Sequence, residues 1–481
     1  MKSLFRGAFL RGVSAFALSI SVAACTSNPQ PLNRPGDVPQ AFTAPMDKTA
    51  PIWPQAGWWT KFGAPELAPL QETAQRENLD VAQAAARVLQ AEARDGIALS
   101  ALFPSLGGNI GATRSGGNST FPPAHNAFTA GLNVSYQQGF FGTQYLRLES
   151  AREDLRFSRY AAAVTGLTTA QNVASTYFSI LAFRERIALA SADIAASKRI
   201  LAITQAKVNS GVSSNLELAE QQALVAQLEF TLPALIEAEK EARYSLALLL
   251  GRAPEGFDVN AQNLDGVIAP SLQPGLPSEL LLRNPAIAQA EADLFSAHAN
   301  VDVARSLYFP SLSLTGNVGD GPVAHLSNLF GASGFVWSIA ASVAQTIFDG
   351  GSIHAQNDLA LAQQQELIAA YRKAVFTAFQ DVENALGTVK SETDQLAFVE
   401  TQVRADAEAY RISELQYREG TIDIVQLLTN QQSLFVAQQS MVSTKLQRLQ
   451  ANLALYAALG GGWDQKTDDA NYKNQLDWWP L

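Results

Sequence analysis

One long pattern occurs twice in this chain of 481 residues, and the repetition constrains the fold more than any other feature. The run "FPSL" occurs at Phe103–Leu106 and again at Phe309–Leu312, 206 residues later. Further matches keep nearly the same spacing: Phe128 with Phe335, Gly211 with Gly420, and Gln222 with Gln431. Near-constant offsets over such a length predict an internal duplication of one structural unit.

Each copy of the unit is predicted to contain a helix, two strands, a long helix, a turn and a final helix. In the first copy the helical period begins near Glu66 and continues to Leu102. Pro104 then stops it, because proline lacks the N–H that a helix needs. Strict alternation of apolar and polar residues follows and predicts strands. The four predicted strands span about residues 104–114, 128–138, 310–319 and 335–347.

The two longest helices are predicted at about residues 141–209 and 351–419. In the first of them, apolar residues recur at every seventh position, which is the spacing of a coiled-coil seam. These residues are Val173, Ile180, Ile187, Ile194, Leu201 and Val208. At a rise of about 1.5 Å per residue each helix would be about 100 Å long, so we expect a bundle rather than a globular core. In the next helix, about residues 216–250, Pro233 is expected to cause a kink.

The first 24 residues have the pattern of a secretory signal peptide. Lys2, Arg6 and Arg11 precede an apolar stretch that is too short for a comfortable membrane span. The stretch "VAAC" at its end resembles the lipobox of bacterial lipoproteins, which predicts that Cys25 is lipidated and becomes the N-terminus. By the same resemblance, Thr26 in place of aspartate favours the outer membrane. The alternative is an ordinary signal peptide that contains a cysteine by chance.

The predicted mature chain is acidic, with 31 basic and 44 acidic side chains once residues 1–24 are removed. Phosphate binding requires a basic surface, so nucleic acid is excluded as a partner. Charged residues make up only 16% of the chain, below the roughly 25% of ordinary soluble proteins. This composition fits either a surface in contact with lipid or other subunits, or a large buried core.

The sequence contains no recognisable catalytic or metal-binding motif. The four histidines (His125, His298, His325 and His354) are scattered, and none has another histidine or a cysteine at i+3 or i+4. There is neither a phosphate-binding loop nor a G-x-S-x-G elbow. A single cysteine forms no internal disulfide. We therefore expect no enzyme activity, no metal and no cofactor other than a covalent lipid on Cys25.

After the signal peptide no stretch of 18 consecutive apolar residues occurs, so a membrane span would have to use the strands. Each strand has about ten alternating residues, enough to cross a bilayer at a tilt. Because every backbone N–H and C=O must be paired in lipid, a spanning sheet must close into a barrel, and four strands are too few. Two copies would supply eight strands around a filled interior, and three would supply twelve strands around a pore. The alternative is a soluble strand layer attached to helices.

Several stretches together resemble the outer-membrane efflux proteins of the TolC superfamily. They are "NSGVSSNLELAEQQALV", "REGTIDIVQLLTNQQSLFVAQ", both "FPSL" runs, the duplicated unit and the lipobox. The resemblance covers about residues 58–463 and is greatest to the lipidated NodT/OprM-like branch that serves resistance-nodulation-division pumps. It implies a mixed α/β fold in which a homotrimer forms a twelve-stranded outer-membrane β-barrel, continued by a long α-helical barrel in the periplasm.

The resemblance also implies a function and an organisation of the chain. The function is passive export of small molecules, such as drugs and toxic compounds, across the outer membrane of a Gram-negative bacterium. The implied partners are a periplasmic membrane-fusion adaptor and an inner-membrane resistance-nodulation-division pump. The implied segments are a signal peptide (1–24), a lipidated tether (25–62), a first repeat (63–251), an equatorial linker (252–276), a second repeat (277–462) and a C-terminal equatorial tail (463–481).

The two glycine turns are implied to form the periplasmic tip. Glycine suits such a turn because it adopts φ > 0 at low cost. The residues implied to contact the adaptor are Ser210, Gly211, Val212, Gly420 and Thr421. The residues implied to form or flank a closed gate are Tyr417, Asp423, Val425, Gln426 and Thr429. Related channels often carry pore-facing aspartates on this helix, but the matching positions here are Gln426 and Thr429.

Two other functions remain open at the level of sequence. A channel of the same fold could serve type I protein secretion, and the lipobox argues only modestly against it. A lipid-anchored coiled-coil scaffold without a pore would belong to a different class of protein. Ion conductance would separate a channel from a scaffold, and the drug susceptibility of a deletion strain would separate efflux from protein export.

Overall fold

The order of helices and strands repeats along the chain. The computed structural model describes residues 39, 41–43, 53–116, 124–139, 141–272, 275–331, 334–466 and 468, so the predicted signal peptide and Cys25 lie outside the described residues. The first repeat contains α1 (Leu67–Glu77), α2 (Leu79–Ser100), β1 (Ser105–Ser115), β2 (His125–Gly139), α3 (Thr143–Asn209) and α4 (Asn215–Leu249). The second contains α5 (Pro277–Leu280), α6 (Pro285–Ser306), β3 (Ser311–Val323), β4 (Phe335–Ala344), α7 (Ser352–Arg418) and α8 (Ile424–Ala458). Short 3₁₀ helices span Trp58–Phe62 and Leu326–Asn328.

Three of the four pairs of corresponding helices have identical lengths, and only α1 and α5, with 11 and 4 residues, differ. Helices α2 and α6 have 22 residues each, α3 and α7 have 67, and α4 and α8 have 35. The positions of α2 and α6 differ by 206 residues, and those of α3 and α7 differ by 209. The predicted duplication is therefore confirmed, and α3 and α7 are each about 100 Å long. None of the described helices is both long and apolar enough to cross a lipid bilayer.

The four strands form one antiparallel sheet in the order β1-β2-β3-β4. One face carries polar residues, as in the row Asn133, Asn317 and Ser338, and the other carries apolar residues, as in the adjacent row Leu132, Val318 and Trp337. Within the described residues β1 and β4 have a partner on one side only. The sheet therefore keeps the predicted alternation and has two unpaired edges.

Pairing, rather than hydrophobic alternation, sets the ends of the strands. Strand β2 begins at His125, before the predicted residue 128, because it pairs with β1 as far as Ser115. Strand β4 ends at Ala344 instead of 347, because its partner β3 begins at Ser311 opposite that residue. Strand β3 extends beyond the predicted residue 319 to Val323.

The chain divides into two compact units. In the described residues, one comprises Ala101–Leu146 and Asp302–Asn357 and contains the sheet, and the other comprises the remaining helical segments. The helical unit has an aromatic cluster in which Trp58 stacks on Tyr456 at 5.1 Å, and Phe62 lies 5.6 Å from Phe178. Trp58 and Phe62 are fully buried. The segment Trp58–Phe62 falls within the predicted irregular tether but belongs to this core.

The helix predicted from Glu66 to Leu102 is wrong in one respect, because Asn78 divides it into α1 and α2. The Asn78 backbone is extended, and its Oδ1 accepts hydrogen bonds from the N–H groups of Asp80 and Val81, which caps α2. Its Nδ2 donates to the carbonyl oxygen of Leu249 at the end of α4. The Asn78 side chain thus connects the beginning of α2 to the end of α4, the last helix of the first repeat.

The second repeat contains the same contact. Asn284 Oδ1 accepts from the N–H of Ala286, and Asn284 Nδ2 donates to the carbonyl oxygen of Ala458 at the end of α8. Asn284 lies 206 residues after Asn78, and Ala458 lies 209 residues after Leu249. Each repeat is therefore closed by one buried asparagine, here called an asparagine clasp.

The predicted coiled-coil seam of α3 holds only in its first part. Val173, Ile180 and Ile194 are buried as expected, whereas Ile187 is half-buried. Near the end of the helix Leu201 and Val208 are only half-buried, and Ile200 and Thr204 take their place in the core. The seam shifts because α3 contacts α4, α7 and α8 in this region instead of one partner helix. Helix α4 continues through Pro233 to Leu249.

Candidate functional site

The turn between α3 and α4 closes with a Schellman motif. The Gly211 N–H donates to the carbonyl oxygen of Val208 at 2.9 Å, and the Val212 N–H donates to that of Lys207 at 2.9 Å. Gly211 has φ 75°, the left-handed conformation that this motif requires. Ser214 then caps α4 by accepting a hydrogen bond from the Glu217 N–H at 3.3 Å.

The turn between α7 and α8 repeats this geometry. The Gly420 N–H donates to the carbonyl oxygen of Tyr417 at 3.1 Å, and the Thr421 N–H donates to that of Gln416 at 2.9 Å. Gly420 has φ 74°. A side-chain oxygen of Asp423 accepts from the Gln426 N–H at 3.0 Å and caps α8. The one acid predicted at the gate therefore has a definite local role as a helix cap.

Both turns are exposed, and exposed apolar residues lie in or beside each of them. We call them the tip turns, residues 209–214 and 418–423. Of the predicted adaptor-contact residues, Ser210, Gly211, Gly420 and Thr421 are exposed, and Val212 is 76% exposed. Leu216 and Val425, at equivalent positions after the two turns, are 67% and 53% exposed. Contiguous exposed apolar patches mark surfaces that bind other proteins, so these side chains are candidates for such a contact.

Tyr417 is buried, with only 3% of its surface exposed, and it lies in a cluster with Ile200, Ile424 and Leu427. Its hydroxyl is 3.0 Å from the hydroxyl of Thr204 on α3. Within one chain, the predicted gate tyrosine therefore packs between α3, α7 and α8.

Lys207 makes a second contact between α3 and α7. Its Nζ donates to the carbonyl oxygen of Tyr417 at 2.7 Å and lies 4.0 Å from the centre of the Tyr417 ring. The same carbonyl oxygen accepts the Gly420 N–H, so Lys207 reaches directly into the second tip turn. Sequence reasoning missed Lys207 and Thr204, because they precede Tyr417 by more than 200 residues and belong to no motif.

Gln426 and Thr429, the positions where related channels often have aspartates, are exposed on α8. The Thr429 hydroxyl donates to the carbonyl oxygen of Val425 at 2.8 Å, and Gln426 Nε2 donates to Asn430 Oδ1 at 3.2 Å. Both side chains thus find hydrogen-bond partners on their own helix. They add no charge to the surface next to the tip turns.

Two glutamines occupy buried positions behind the tip turns. Gln221 Nε2 donates to both the carbonyl and the hydroxyl oxygen of Ser197, at 2.9 and 2.8 Å. Gln431 is only 4% exposed, yet neither its Oε1 nor its Nε2 has a hydrogen-bond partner among the described residues. A buried amide without partners costs free energy, so the packing around Gln431 is less than optimal.

A carboxyl and a phenol are also desolvated in the helical unit. Burial raises the pKa of the Asp193 carboxyl to about 6, and Asp193 Oδ2 has no hydrogen-bond partner in the described part of the chain. Burial, followed by the nearby Glu414 carboxylate, raises the pKa of Tyr410 to about 12. Asp193 thus contributes a group that changes its charge near neutral pH.

Arg184 fixes the predicted equatorial linker, residues 252–276, to the helices. Its guanidinium donates to Glu239 at 2.8 Å, to the carbonyl oxygens of Val259 and Ala261 at 2.7 and 2.8 Å, and to Asp258. Both Arg184 and Glu239 are nearly buried. This network was not predicted, because a lone arginine in a heptad pattern gives no signal of a contact with a distant loop.

The described residues contain no cluster of three or more His, Cys, Asp or Glu side chains that could hold a metal ion.

The C-terminal segment contacts the helices where it is described. Trp463 packs edge-on against Tyr160 at 5.5 Å, and Arg159 pairs with Asp468 at 3.0 Å.

The candidate functional site consists of the two tip turns, with Tyr417 and Lys207 behind them.

Comparison with known proteins shows the family to which the chain belongs. The model of the family described as "Outer membrane efflux protein" matches residues 70–252 and 276–461, one match in each repeat. The pyoverdine export outer membrane protein OpmQ of Pseudomonas aeruginosa is 34% identical over 464 residues, covering 94% of this chain and 97% of the relative. The cation efflux system protein CusC of Escherichia coli is 27% identical over 456 residues, with 94% and 98% covered.

A solved structure has the same fold. The open state of the Neisseria gonorrhoeae MtrE outer membrane channel superposes with a TM-score of 0.81 at 29% identity, covering 89% of this chain and 96% of that chain. With four strands, a duplicated helical unit and two tip turns, the chain has the architecture of an outer-membrane efflux channel. It belongs to the outer membrane efflux protein family.

Proposed function

We propose that three copies of this chain assemble into the passive outer-membrane channel of a tripartite efflux system. The main support for this proposal is the four-stranded sheet, in which the outer edges of β1 and β4 are unpaired within the described residues. Four strands cannot close a barrel, and unpaired backbone groups are not tolerated in lipid. Three copies supply twelve strands and leave room for a lumen, whereas two supply eight strands and a filled interior.

The duplication indicates how the edges of neighbouring copies would pair. Strand β2 pairs with β3 so that Ser135 lies opposite Thr315. Applied to β4 of one copy and β1 of the next, the repeat offsets place Ser342 opposite Asn109 and Ala341 opposite Ile110. Polar residues then lie next to polar ones and apolar next to apolar, so the alternation is preserved across the new contact.

The proposed anchor is a covalent lipid on Cys25, which would hold the N-terminus at the outer membrane. The proposal is supported by the lipobox-like "VAAC". Mass spectrometry of the N-terminal peptide from the mature protein tests it. We expect an acylated Cys25 peptide, and an unmodified thiol at this position would contradict the anchor.

The proposed partners at the tip turns are a periplasmic membrane-fusion adaptor and, through it, an inner-membrane resistance-nodulation-division pump. Exposed Val212 and Leu216 give the adaptor an apolar contact, and Ser210 and Thr421 surround it with hydroxyls. A photo-cross-linker at Thr421 should capture the adaptor. The same probe at Thr388, an exposed position in the middle of α7, is the matched control and should not.

The proposed gate is a narrowing of the tip formed by Val425 and Asp423 from three copies, and the predicted gate tyrosine, Tyr417, is buried behind them instead of lining the passage. Gln426 and Thr429 would line the adjoining passage. Val425→Ala should raise the conductance of the channel in a planar bilayer. Asp423→Asn keeps a cap acceptor for α8 and removes the charge, so it tests the acid without unfolding the helix end. Unchanged conductance in both variants would contradict a gate at this position.

The proposed cargo is small molecules, with no chemical reaction catalysed by the chain. The named relatives support this cargo class, because one is a pyoverdine export protein and another belongs to a cation efflux system. Deletion of the gene should increase susceptibility to small toxic compounds and leave the set of secreted proteins unchanged. Loss of a secreted protein with unaltered susceptibility would favour protein secretion instead.

The assembly itself is tested with the purified full-length protein. We expect a detergent-solubilised complex with three times the chain mass and stepwise ion conductance in planar bilayers. A monomer that dissolves without detergent and passes no ions would refute the channel and favour the scaffold.

A further inference from the structure

The polar face of the sheet is built almost entirely from uncharged residues. The segments 96–146 and 306–348, which contain all four strands, carry one Lys, Arg, Asp or Glu side chain each, Arg114 and Asp320. In the whole chain such residues make up 16%. The strand pairing places both Arg114 and Asp320 on the apolar face, the face of Leu132. The polar face of the described strands therefore consists mainly of serine, threonine, asparagine, glutamine and glycine.

On the polar face, asparagine side chains lie across glycines of the neighbouring strand. Gly107 pairs with Asn133, and Gly131 pairs with Asn109. A Cβ at Gly107 would lie 2.7 Å from Asn133 Oδ1, and a Cβ at Gly131 would lie 3.6 Å from Asn109 Oδ1. The two amides thus occupy the space above a glycine of the partner strand.

A hydroxyl and a second amide continue this arrangement. A Cβ at Gly111 would lie 2.9 Å from Thr129 Oγ1. Asn317, opposite Asn133, donates from its Nδ2 to Ser338 Oγ at 3.4 Å. Glycine within a strand weakens the strand and often marks the close approach of another group. Here the approaching groups are polar side chains, which lie along the sheet instead of projecting from it.

We propose that these side chains form a smooth, uncharged wall of the proposed channel, so that the part of the passage built from strands admits hydrogen-bonding cargo of either charge sign. The inference rests on the proposed function and adds the class of cargo that this part of the passage accepts. Rings of charged side chains set the ion preference of a pore, whereas amides and hydroxyls carry no net charge. Amides that lie along the sheet offer hydrogen bonds to a polar cargo without narrowing the passage.

The glycines keep the amides flat. A Cβ at Gly107 would meet only the far end of the Asn133 side chain, which can rotate away from the sheet. Gly107→Ala should therefore move this amide into the passage and leave the strands paired. Gly108 lies next to it on the apolar face, where a Cβ would be 3.5 Å from Leu132 Cδ2, an ordinary contact. The same substitution at the two glycines thus differs only in the face that it alters.

Thiol reagents of opposite charge measure the charge of the wall locally. Ser338→Cys places a thiol on the polar face of β4. The full-length protein in isolated membranes is treated with trimethylammonioethyl or sulfonatoethyl methanethiosulfonate, which are cationic and anionic. The ratio of the two reaction rates, which is independent of the thiolate fraction, should equal the ratio for a small thiol in solution. The parent protein, whose single cysteine is Cys25, gives the background.

A charge introduced beside the new thiol calibrates this ratio. Asn317→Asp should shift the ratio about five-fold towards the cationic reagent, and Asn317→Lys about five-fold towards the anionic one, because a unit charge about 8 Å away in water changes each rate about two-fold in opposite directions. The matched control is Ile339→Cys, one residue along β4 on the apolar face. It should resist both reagents, because lipid would cover this face.

The orientation of the Asn133 side chain is tested with the same reagents. In Asn133→Cys the thiol would lie against Gly107 and should react slowly. Addition of Gly107→Ala should raise the rate several-fold, because the new Cβ displaces the thiol from the sheet. Addition of Gly108→Ala should leave the rate unchanged.

The outcomes separate the wall from the channel. A ratio in Ser338→Cys that departs about five-fold or more from that of the free thiol would show a charged wall and overturn the inference. Equal rates in Asn133→Cys with Gly107→Ala and with Gly108→Ala would also overturn it, and both results would leave the channel intact. Reaction at Ile339→Cys without reaction at Ser338→Cys would place water on the apolar face and overturn the proposed passage, and the inference with it.

Discussion

Substitution of Lys207 tests whether the contact behind the tip turns keeps the channel closed. We infer that opening of the proposed gate moves the end of α7, where Tyr417 and its carbonyl group lie. In Lys207→Met the chain keeps a side chain of similar length but loses the hydrogen bond to the Tyr417 carbonyl and the contact with the Tyr417 ring. We infer that this contact belongs to the closed state, so the closed state should be selectively destabilised.

The size of the effect follows from the two lost contacts. A hydrogen bond from a charged donor contributes about 1.5–3 kcal/mol, and a cation–π contact near the surface about 0.5–1 kcal/mol. Allowing for partial exposure of Lys207, we expect a loss of about 2–3 kcal/mol. Since about 1.4 kcal/mol corresponds to a factor of ten, the open fraction should rise about 30- to 150-fold while the closed state still dominates.

Single-channel recording in planar bilayers measures this change as open probability. Lys207→Arg keeps a cation and a donor and should remain close to the original protein. Lys198→Met is the matched control on the same helix, because Lys198 forms an exposed ion pair with Glu229 that contributes little. Folded Lys207→Met channels with unchanged open probability would refute the reasoning.

Three further predictions concern the helical unit. Gln431→Leu should raise the melting temperature of the protein, because it removes a buried amide that has no partner among the described residues and costs about 1–3 kcal/mol. Gln221→Leu should lower the melting temperature by breaking two hydrogen bonds, and equal effects of the two substitutions would contradict this difference. Asn284→Ala should destabilise the protein by about 2 kcal/mol through loss of the cap and of the bond to α8, and thermal unfolding without a shift would rule out the clasp. The raised pKa of Asp193 means that the folded protein favours the protonated form, so stability should fall as the pH rises from about 4 to about 6. Asp193→Asn should weaken that dependence, as measured by melting temperature against pH, and an unaltered profile would exclude Asp193 as its source.

The sequence is sufficient to predict those features of the fold that depend on a local pattern of residues. The tip turns were predicted because Gly211 and Gly420 recur at a fixed offset after long helical patterns, and a glycine with φ > 0 is a local requirement. The strands were predicted because alternation is a property of each strand by itself. The duplication was predicted because offsets near 206 and 209 persist over the whole chain.

Contacts between distant segments could not be predicted in the same way. Lys207 and Tyr417 are far apart in sequence, and neither residue type predicts a contact with the other. Arg184 similarly anchors a loop that begins almost 70 residues later. Asn78 is an intermediate case, since asparagine before a helical run is a known cap signal, but the continuous helical pattern on both sides concealed it. The seam of α3 changes direction because additional helices join it, and a heptad count assumes one partner.

Glycines of the same conformation follow α3, α4, α7 and α8, but two of them lie in tight contacts and two lie in open turns. All four have positive φ. A Cβ at Gly251 or Gly460 would overlap the carbonyl oxygen of Glu77 or Arg283, next to the asparagine clasps, so the ends of α4 and α8 are fixed by direct contact with the start of each repeat.

A Cβ at Gly211 or Gly420 would meet no atom within 4 Å, so only the backbone conformation, worth about 1–2 kcal/mol, requires glycine there. The tip turns are therefore held by their own hydrogen bonds and by the few side chains behind them. Because the clasps fix the far ends of α4 and α8, we expect these two helices to be least restrained at the tip turns. This is the end at which the gate and the adaptor surface are proposed to act.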